Sequence, residues 1–199
     1  MIVVDIEATS LNFEKSSILS IGAVSFDNPE KRFYAESRAY DDCHIDPKAL
    51  EVAGFTIESI KDTNKPLPRE ILVDFISWLQ QFDNQTLAGQ NVHVDLKWLR
   101  AECQRSGINH KFGDRILDLH SIVYSKHLEL GIPIPLYDKR SNLGLDYILQ
   151  FCGIRVIRKS HNALEDALLE AECFSRIIKK KSSIDEYKEF DIPNYLLIH

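Results

Sequence analysis

The sequence predicts an α/β fold, a mixed β-sheet flanked by α-helices. Two apolar, β-branched runs, at residues 2–6 and 17–26, read as buried strands that precede any helix. Amphipathic stretches with recognisable caps follow. Short apolar runs at 86–89 and 115–118 interrupt those stretches, so later strands interleave with helices.

The elements follow in order. The first strand is Ile2, Val3, Val4 and Ile6, interrupted by Asp5 and Glu7. Residues 9–16 are polar and loop-like. The second strand, 17–26, turns at Asp27-Asn28-Pro29, and residues 31–40 alternate as a third strand, completing an antiparallel meander. Asp46 is placed to cap a helix with Pro47 at its first position, and Gly54 ends it. Residues 68–82 form an amphipathic helix with Ile71, Leu72, Phe75, Ile76 and Leu79 on one stripe. A short buried strand at 86–89 leads to a helix over 95–107, closed by Gly107. A strand at 115–118 runs into a helix over 119–127. Residues 131–140, with two prolines and no periodicity, read as a surface loop. A helix covers 143–153. The last long helix covers 162–181, with Leu164, Ala167, Leu168, Ala171 and Phe174 inward. Residues 182–199 form an appended tail, flexible or docked through Tyr195, Leu196, Leu197 and Ile198.

With 199 residues and 44% hydrophobic content, the chain suits a single folded domain. A net charge of −6 excludes the global basic signature of a duplex-binding protein; a nucleic-acid partner would need a local basic patch, or metals that offset acids. The four cysteines form no CxxC pair, which suits free thiols in a reducing compartment. Residue 2 already begins a strand, so no signal peptide is expected, and no apolar run reaches the ~18 residues of a membrane span. These features together predict a soluble, cytoplasmic protein without a membrane partner.

The chemistry-bearing residues fall in four groups. Side chains two apart on a strand share a face, so the Asp5 and Glu7 carboxylates leave the first strand together. Burying like charges is costly, and a divalent cation offsets the cost because hard cations take carboxylate oxygens. The alternative is a strand that frays into solvent at Asp5. Second, the segment from Gly89 to Leu99 is a strand running into a helix that begins near Asp95, where a carboxylate also complements the helix dipole. Third, Asn162 and Glu165 have capping-box spacing. That places His161 in the loop just outside the helix and Asp166 one turn in, on its first exposed face, so both reach one site. Fourth, Arg155, Arg158 and Lys159 form a basic run upstream of His161, suited to phosphate contacts or to a solvated strand.

Asp-x-Glu on a first strand, Asp at a helix start near mid-chain, and His-x-x-x-x-Asp at the start of a late helix, in that order, resemble the DEDDh exonucleases. That superfamily includes the polymerase proofreading subunit and oligoribonuclease. The resemblance spans roughly residues 1–180. Flanking residues also look like the family: Ser17-Ile18-Leu19-Ser20-Ile21-Gly22, Asn91 four before Asp95, Leu117-Asp118, and Ala163-Leu164. Three positions depart from it. Gln90-Asn91 stands where many members have His-Asn, Val94 replaces a frequent aromatic, and Ser10 occupies a usual glycine.

The resemblance implies an RNase H-like exonuclease domain over residues 1–181. It implies two divalent cations, Mg²⁺ or Mn²⁺, held by Asp5, Glu7, Asp95 and Asp166. Asp5 would bridge both, Glu7 and Asp166 would hold the ion carrying the attacking water, and Asp95 would serve the other, through water. His161 would be the general base; an imidazole ordinarily titrates near pH 6.5, which suits the task. Backbone at Ala8 and Thr9 would recognise a terminal 3′-hydroxyl, Leu11 would pack on the last base, Asn91 would orient Asp95 or meet the substrate, and Arg158 would contact it. Phe26 or Trp98 as a base platform is a further idea, although Trp98 has core spacing. Asp118 reads as a helix cap. The implied activity is 3′→5′ hydrolysis of single-stranded DNA or RNA to nucleoside monophosphates, acting alone, as a homo-oligomer or beside a polymerase. Alternatives are an RNA-specific, oligoribonuclease-like trimming enzyme and a non-catalytic module that binds nucleic acid or a polymerase.

Overall fold

The computed structural model describes residues 1–158 and 161–198. Lys159 of the basic run therefore lies outside the described residues, as do Ser160 and His199. Strands β1 (Ile2–Ala8), β2 (Ile18–Ser25) and β3 (Arg32–Glu36) form the antiparallel meander. After α1 (Pro47–Val52), α2 (Ile57–Ile60) and α3 (Pro68–Leu79) comes β4 (Leu87–Gly89), parallel to β1. Helix α4 (His93–Ser106) leads to β5 (Leu117–Asp118), parallel to β4, giving a mixed sheet of order β3-β2-β1-β4-β5. The chain continues through α5 (Leu119–Leu130), a small hairpin of β6 (Leu136–Tyr137) and β7 (Arg140–Ser141), α6 (Leu145–Phe151) and α7 (Ala163–Phe174). It closes with α8 (Asn194–Leu197).

The pleat of β1 sorts its residues between two cores. Ile2, Val4 and Ile6 face α3 and α4, where Phe75, Leu99 and Trp98 pack on them. Val3 faces the other way, into the core built with α5, α6 and α7. Asp5 and Glu7 share the parity of Val3, so they point toward the α7 side. Helix α7 lies almost directly on the sheet. Asp5 pairs with Gly22 across the β1–β2 ladder, and a Cβ on Gly22 would stand 2.1 Å from backbone atoms of Ala163 and Leu164. Glycine at 22 is what lets the start of α7 rest beside the acids of β1.

The sequence-based boundaries differ in instructive places. Residues 131–140 are not wholly loop, because the β6–β7 hairpin turns there on Asp138 and Lys139, both at positive φ. The last long helix does not run uniformly to 181: regular α-helix ends at Phe174 and Ser175–Lys179 forms a wider, π-type turn. That turn carries the side chain of Arg176, which is fully buried. Its guanidinium donates to the carbonyls of Cys152, Tyr187, Phe190 and Asp191 and pairs with Glu172, itself buried, at 2.7 Å. Glu172 accepts in turn from the Ser183 and Ile184 N–H groups. Through this pair the segment after residue 181 is tied to α7. Leu196 is buried and the Tyr195 hydroxyl donates to Phe151, while Leu197 and Ile198 are exposed rather than docked. Among the described residues no helix is long and apolar enough to cross a membrane.

Gly22→Ala tests the close approach. Its Cβ meets backbone rather than a movable side chain, so denaturant unfolding should show a loss of about 3 kcal/mol or more. An alanine variant as stable as the parent would show that the contact is soft.

Candidate active site

Strand β1 outruns β4, which pairs only with Ile2 and Val3. Beyond that point the free edge of β1 meets the first turn of α4, and Asp95 Oδ1 accepts from the Ile6 N–H at 3.0 Å. Helix α4 begins at His93, so Asp95 lies inside the first turn rather than at the helix start. The chain enters α4 through Asn91, an exposed residue at φ 57° whose carbonyl accepts from the Val94 N–H. Asn91 thus shapes the turn, and the hydrogen bond that holds Asp95 comes from Ile6 instead of from the Asn91 side chain.

From the opposite face, α7 brings Asp166. Asn162 caps the helix, its side chain accepting from the Leu164 and Glu165 N–H groups at 3.1 Å each. His161 stands just outside, anchored by its N–H to the Val52 carbonyl. Its Nδ1 lies 3.7 Å from Asp166 Oδ2 and 4.0 Å from Glu7 Oε1. Glu7, His161 and Asp166 each offer a ligand atom within 4.8 Å of the others. Asp166 is buried, not on an exposed face, because α7 lies flat on the sheet and Arg158 covers it. Arg158 donates to Asp166 Oδ2 at 2.8 Å and reaches Asp146 with the rest of its guanidinium.

The electrostatics of this corner are dominated by burial and like charge. Burial, then Asp95, Glu170, Glu7 and Asp166 in that order, push Asp5 well above the usual carboxylate range. Glu7 is raised to about 7 by burial and by Asp166, against a lowering by Arg158. Asp95 rises through burial although its N–H donors oppose this, and Asp166 rises through burial although Arg158 and His161 oppose it. Asp5 Oδ2 and Asp166 Oδ1 are buried without a hydrogen-bond partner. Buried carboxylate oxygens without partners fit a hard divalent cation, although among the described residues the close group of ligand atoms is Glu7, His161 and Asp166 and does not include Asp5 or Asp95.

Of these four acids Glu7 lines a cavity of about 420 Å³, together with Ala8, Leu11, Asp46, Lys48, Val52, Trp98 and His161, among others. Leu11 is 80% exposed at its lip. Thr9 is fully buried and committed: its N–H donates to Ser17, its carbonyl accepts from the Asp46 N–H, and its hydroxyl donates to the His44 carbonyl. Ala8, unlike Thr9, lines the cavity. Phe26 is no base platform; it packs against Phe174 with the Lys179 ammonium over its ring. Trp98 belongs to the core, as its spacing suggested, donates to Ser16 Oγ, and still shows an edge to the cavity. Asp118 caps α5, accepting from the Ser121 N–H.

Residues 2–174 match the family model RNase_T, described as exonuclease. The chain belongs to this exonuclease family. It is 25% identical over 196 residues to the PolC-type DNA polymerase III of Caldanaerobacter subterraneus subsp. tengcongensis, which covers 98% of this chain and only 13% of that protein. It is 26% identical over 177 residues to the DNA polymerase III subunit epsilon of Treponema pallidum, covering 87% of this chain and 74% of that one. The chain thus spans about an eighth of the PolC-type relative and three quarters of the epsilon subunit. Among solved structures, the nuclease domain of 3′hExo, a DEDDh family member bound to rAMP, superposes with a TM-score of 0.67 at 18% identity, over 96% of this chain and 94% of that domain. The RNase H-like fold is the one the motif order implied, and the matched family is one of exonucleases.

Three features of the site were not singled out in the sequence. The α1 wall of Asp46, Lys48, Ala49 and Val52 carries no motif. The Arg158–Asp166 pair depends on the path of a loop. Glu170 was legible: an acid four residues after Asp166 in an apolar helical stripe falls on the same face.

The raised carboxylates fix the sign of a pH effect. Folded Glu7, at about 7, holds its proton more tightly than an ordinary glutamate at 4.5. The stabilisation from that proton is complete below the ordinary value and is lost as pH rises through about 7. Asp5, Asp95 and Asp166 act in the same direction. In EDTA the Tm should therefore fall between about pH 5 and about pH 8, by the equivalent of roughly 2–4 kcal/mol. A flat or rising Tm across that window would contradict the electrostatics described.

Proposed function

We propose that this chain hydrolyses the terminal phosphodiester at the 3′ end of single-stranded DNA or RNA and releases nucleoside monophosphates. We propose further that Asp5, Glu7, Asp95 and Asp166 hold two divalent cations, Mg²⁺ or Mn²⁺. The observation that supports this most is the convergence of buried carboxylates, with unsatisfied oxygens on Asp5 and Asp166, beside His161 at the mouth of a cavity. A nucleic-acid binder without activity gains nothing from that arrangement. When bound, such cations lower the pKa of water and neutralise charge that builds on the phosphoryl group.

The remaining work falls to named side chains. The oxygen of a water bonds to phosphorus, the bond from phosphorus to the 3′-oxygen of the penultimate nucleotide breaks, the proton of the water passes to His161, and the departing 3′-oxygen takes a proton from solvent to become a hydroxyl. The carboxylates of Asp166 and Glu7, 3.7 and 4.0 Å from Nδ1, stabilise the imidazolium that forms. A side chain 41% exposed can return that proton to solvent. Exposed Leu11 packs on the last base, and the Ala8 backbone meets the terminal 3′-hydroxyl. Thr9 holds Ala8 in place through its own buried bonds. Arg158 contacts a substrate phosphate once Asp166 is engaged elsewhere. Asn91, exposed at its turn, meets the strand upstream. A pocket of this size takes one nucleotide rather than a duplex end.

DNA is the first substrate to test, because the two relatives described above are DNA polymerase III proteins, and a polymerase is the first partner to test. With 5′-labelled single strands of one sequence, Mn²⁺ or Mg²⁺ should produce a ladder shortening from the 3′ end and EDTA should abolish it. Faster cleavage of RNA would favour a trimming enzyme of the oligoribonuclease kind. Absence of cleavage of either strand by folded, metal-loaded protein would sink the proposal.

Two variants test the roles. Asp5→Ala should abolish cleavage with the fold intact. His161→Ala should lower the rate by about 10²–10⁴-fold and remove one limb of the pH–rate profile. An unchanged rate and profile would remove His161 from the role of base.

A further inference from the structure

Glu170 lies one helical turn beyond Asp166 on α7, deeper toward the sheet. It is 1% exposed, and its Oε2 has no hydrogen-bond partner. The Gln90 N–H faces its carboxylate and favours the charged form. Space for that carboxylate comes from the end of β4. Gly89 has no side chain, and a Cβ there would stand 3.1 Å from Glu170 Oε2 and 2.8 Å from the Val4 carbonyl. No lysine or arginine among the described residues makes an ion pair with Glu170. Its charged neighbours are the acids Asp95, Asp166 and Asp5, with Arg158 acting against them from beyond ion-pair distance.

Packing does not account for a glutamate here. A leucine fills such a space without burying charge, and a glutamine accepts from Gln90 equally well. What distinguishes Glu170 from both is an ionisable carboxyl and a buried oxygen without a partner, lying against the end of β4 one helical turn below Asp166.

We propose that Glu170 is a fifth carboxylate of the metal centre, a positioning residue behind Asp5 and Asp95 whose charge and free oxygen strengthen their hold on a divalent cation. The proposal rests on the metal reading above and assigns this chain one acid more than the four its motifs contain. Its cost appears without metal, when the extra charge adds to the repulsion in the corner.

The test is the binding of Mn²⁺ alone to the full chain, by titration calorimetry and by electron paramagnetic resonance of free Mn²⁺, with the Tm in EDTA measured in parallel. Glu170→Gln keeps the shape and the acceptor for the Gln90 N–H. It should weaken Mn²⁺ binding by about 10–100-fold and raise the Tm in EDTA. Glu170→Leu, a second variant should the first not fold, should show the same loss, and Glu170→Asp should recover part of the affinity. Asp5→Asn is the control for the centre itself. If Glu170→Gln binds Mn²⁺ as tightly as the parent while Asp5→Asn does not, the role of Glu170 is structural and the proposal falls alone. If Asp5→Asn also binds like the parent, the metal reading falls and takes this proposal with it.

Discussion

The start of α7 can lie against β2 only because residue 22 carries no side chain. With 2.1 Å between an added Cβ and the backbone of Ala163, no other residue fits without moving the helix. That contact fixes the height of α7 above the sheet and the phase at which its first turn meets β1. Asp166, three residues into the helix, is thereby delivered to Glu7, and His161, just before the Asn162 cap, is brought over both. A backbone approach of this kind is stiff, because peptide groups packed on peptide groups have no rotamers to exchange. Placement of the charged groups therefore depends on a backbone-to-backbone contact between β2 and α7.

What this rigid frame holds together is unfavourable on its own. Carboxylates gathered in a buried corner repel one another, and removal from water raises the cost further. The chain offsets this in two ways. Several acids take up protons more readily than in water, Glu7 up to about 7. Arg158 lies across Asp166 with its far side on Asp146. Both devices are reversible, since a proton leaves and an arginine on a loop swings. The corner thus trades stability for readiness, a common compromise where a local rule of folding is broken for function.

The acids were legible because strand periodicity places Asp5 and Glu7 on one face, and helix-start chemistry places Asp95 and the His161–Asp166 pair. The meander and the long helices were legible for the same reason: their apolar repeats run long enough to declare a period. The missed elements lack that length. Helices α2 and α8 have four residues each and β6 and β7 two each, so no repeat exists to detect. Burial of Asp166 was misjudged because single-helix reasoning assigns a face to solvent without knowing what lies over it. The bond from Ile6 N–H to Asp95 depends on β4 stopping two pairs into its ladder with β1, a mismatch in strand lengths that no local pattern encodes. The commitment of every polar group of Thr9 is similarly a product of three distant segments meeting.

The buried pair of Arg176 and Glu172 bears on where this protein can be cut. The family match ends at residue 174, a natural place to shorten the chain. A cut there removes Arg176 and leaves Glu172 as an uncompensated charge in the core, with both oxygens stripped of their donors. It also exposes the surface that Leu196 and Tyr187 cover. Helix α7 would then lose its anchor at one end while carrying Asp166 at the other. A fragment that keeps the acidic corner in register therefore runs past the matched family region, far enough to retain Arg176 and the segment whose carbonyls hold its guanidinium.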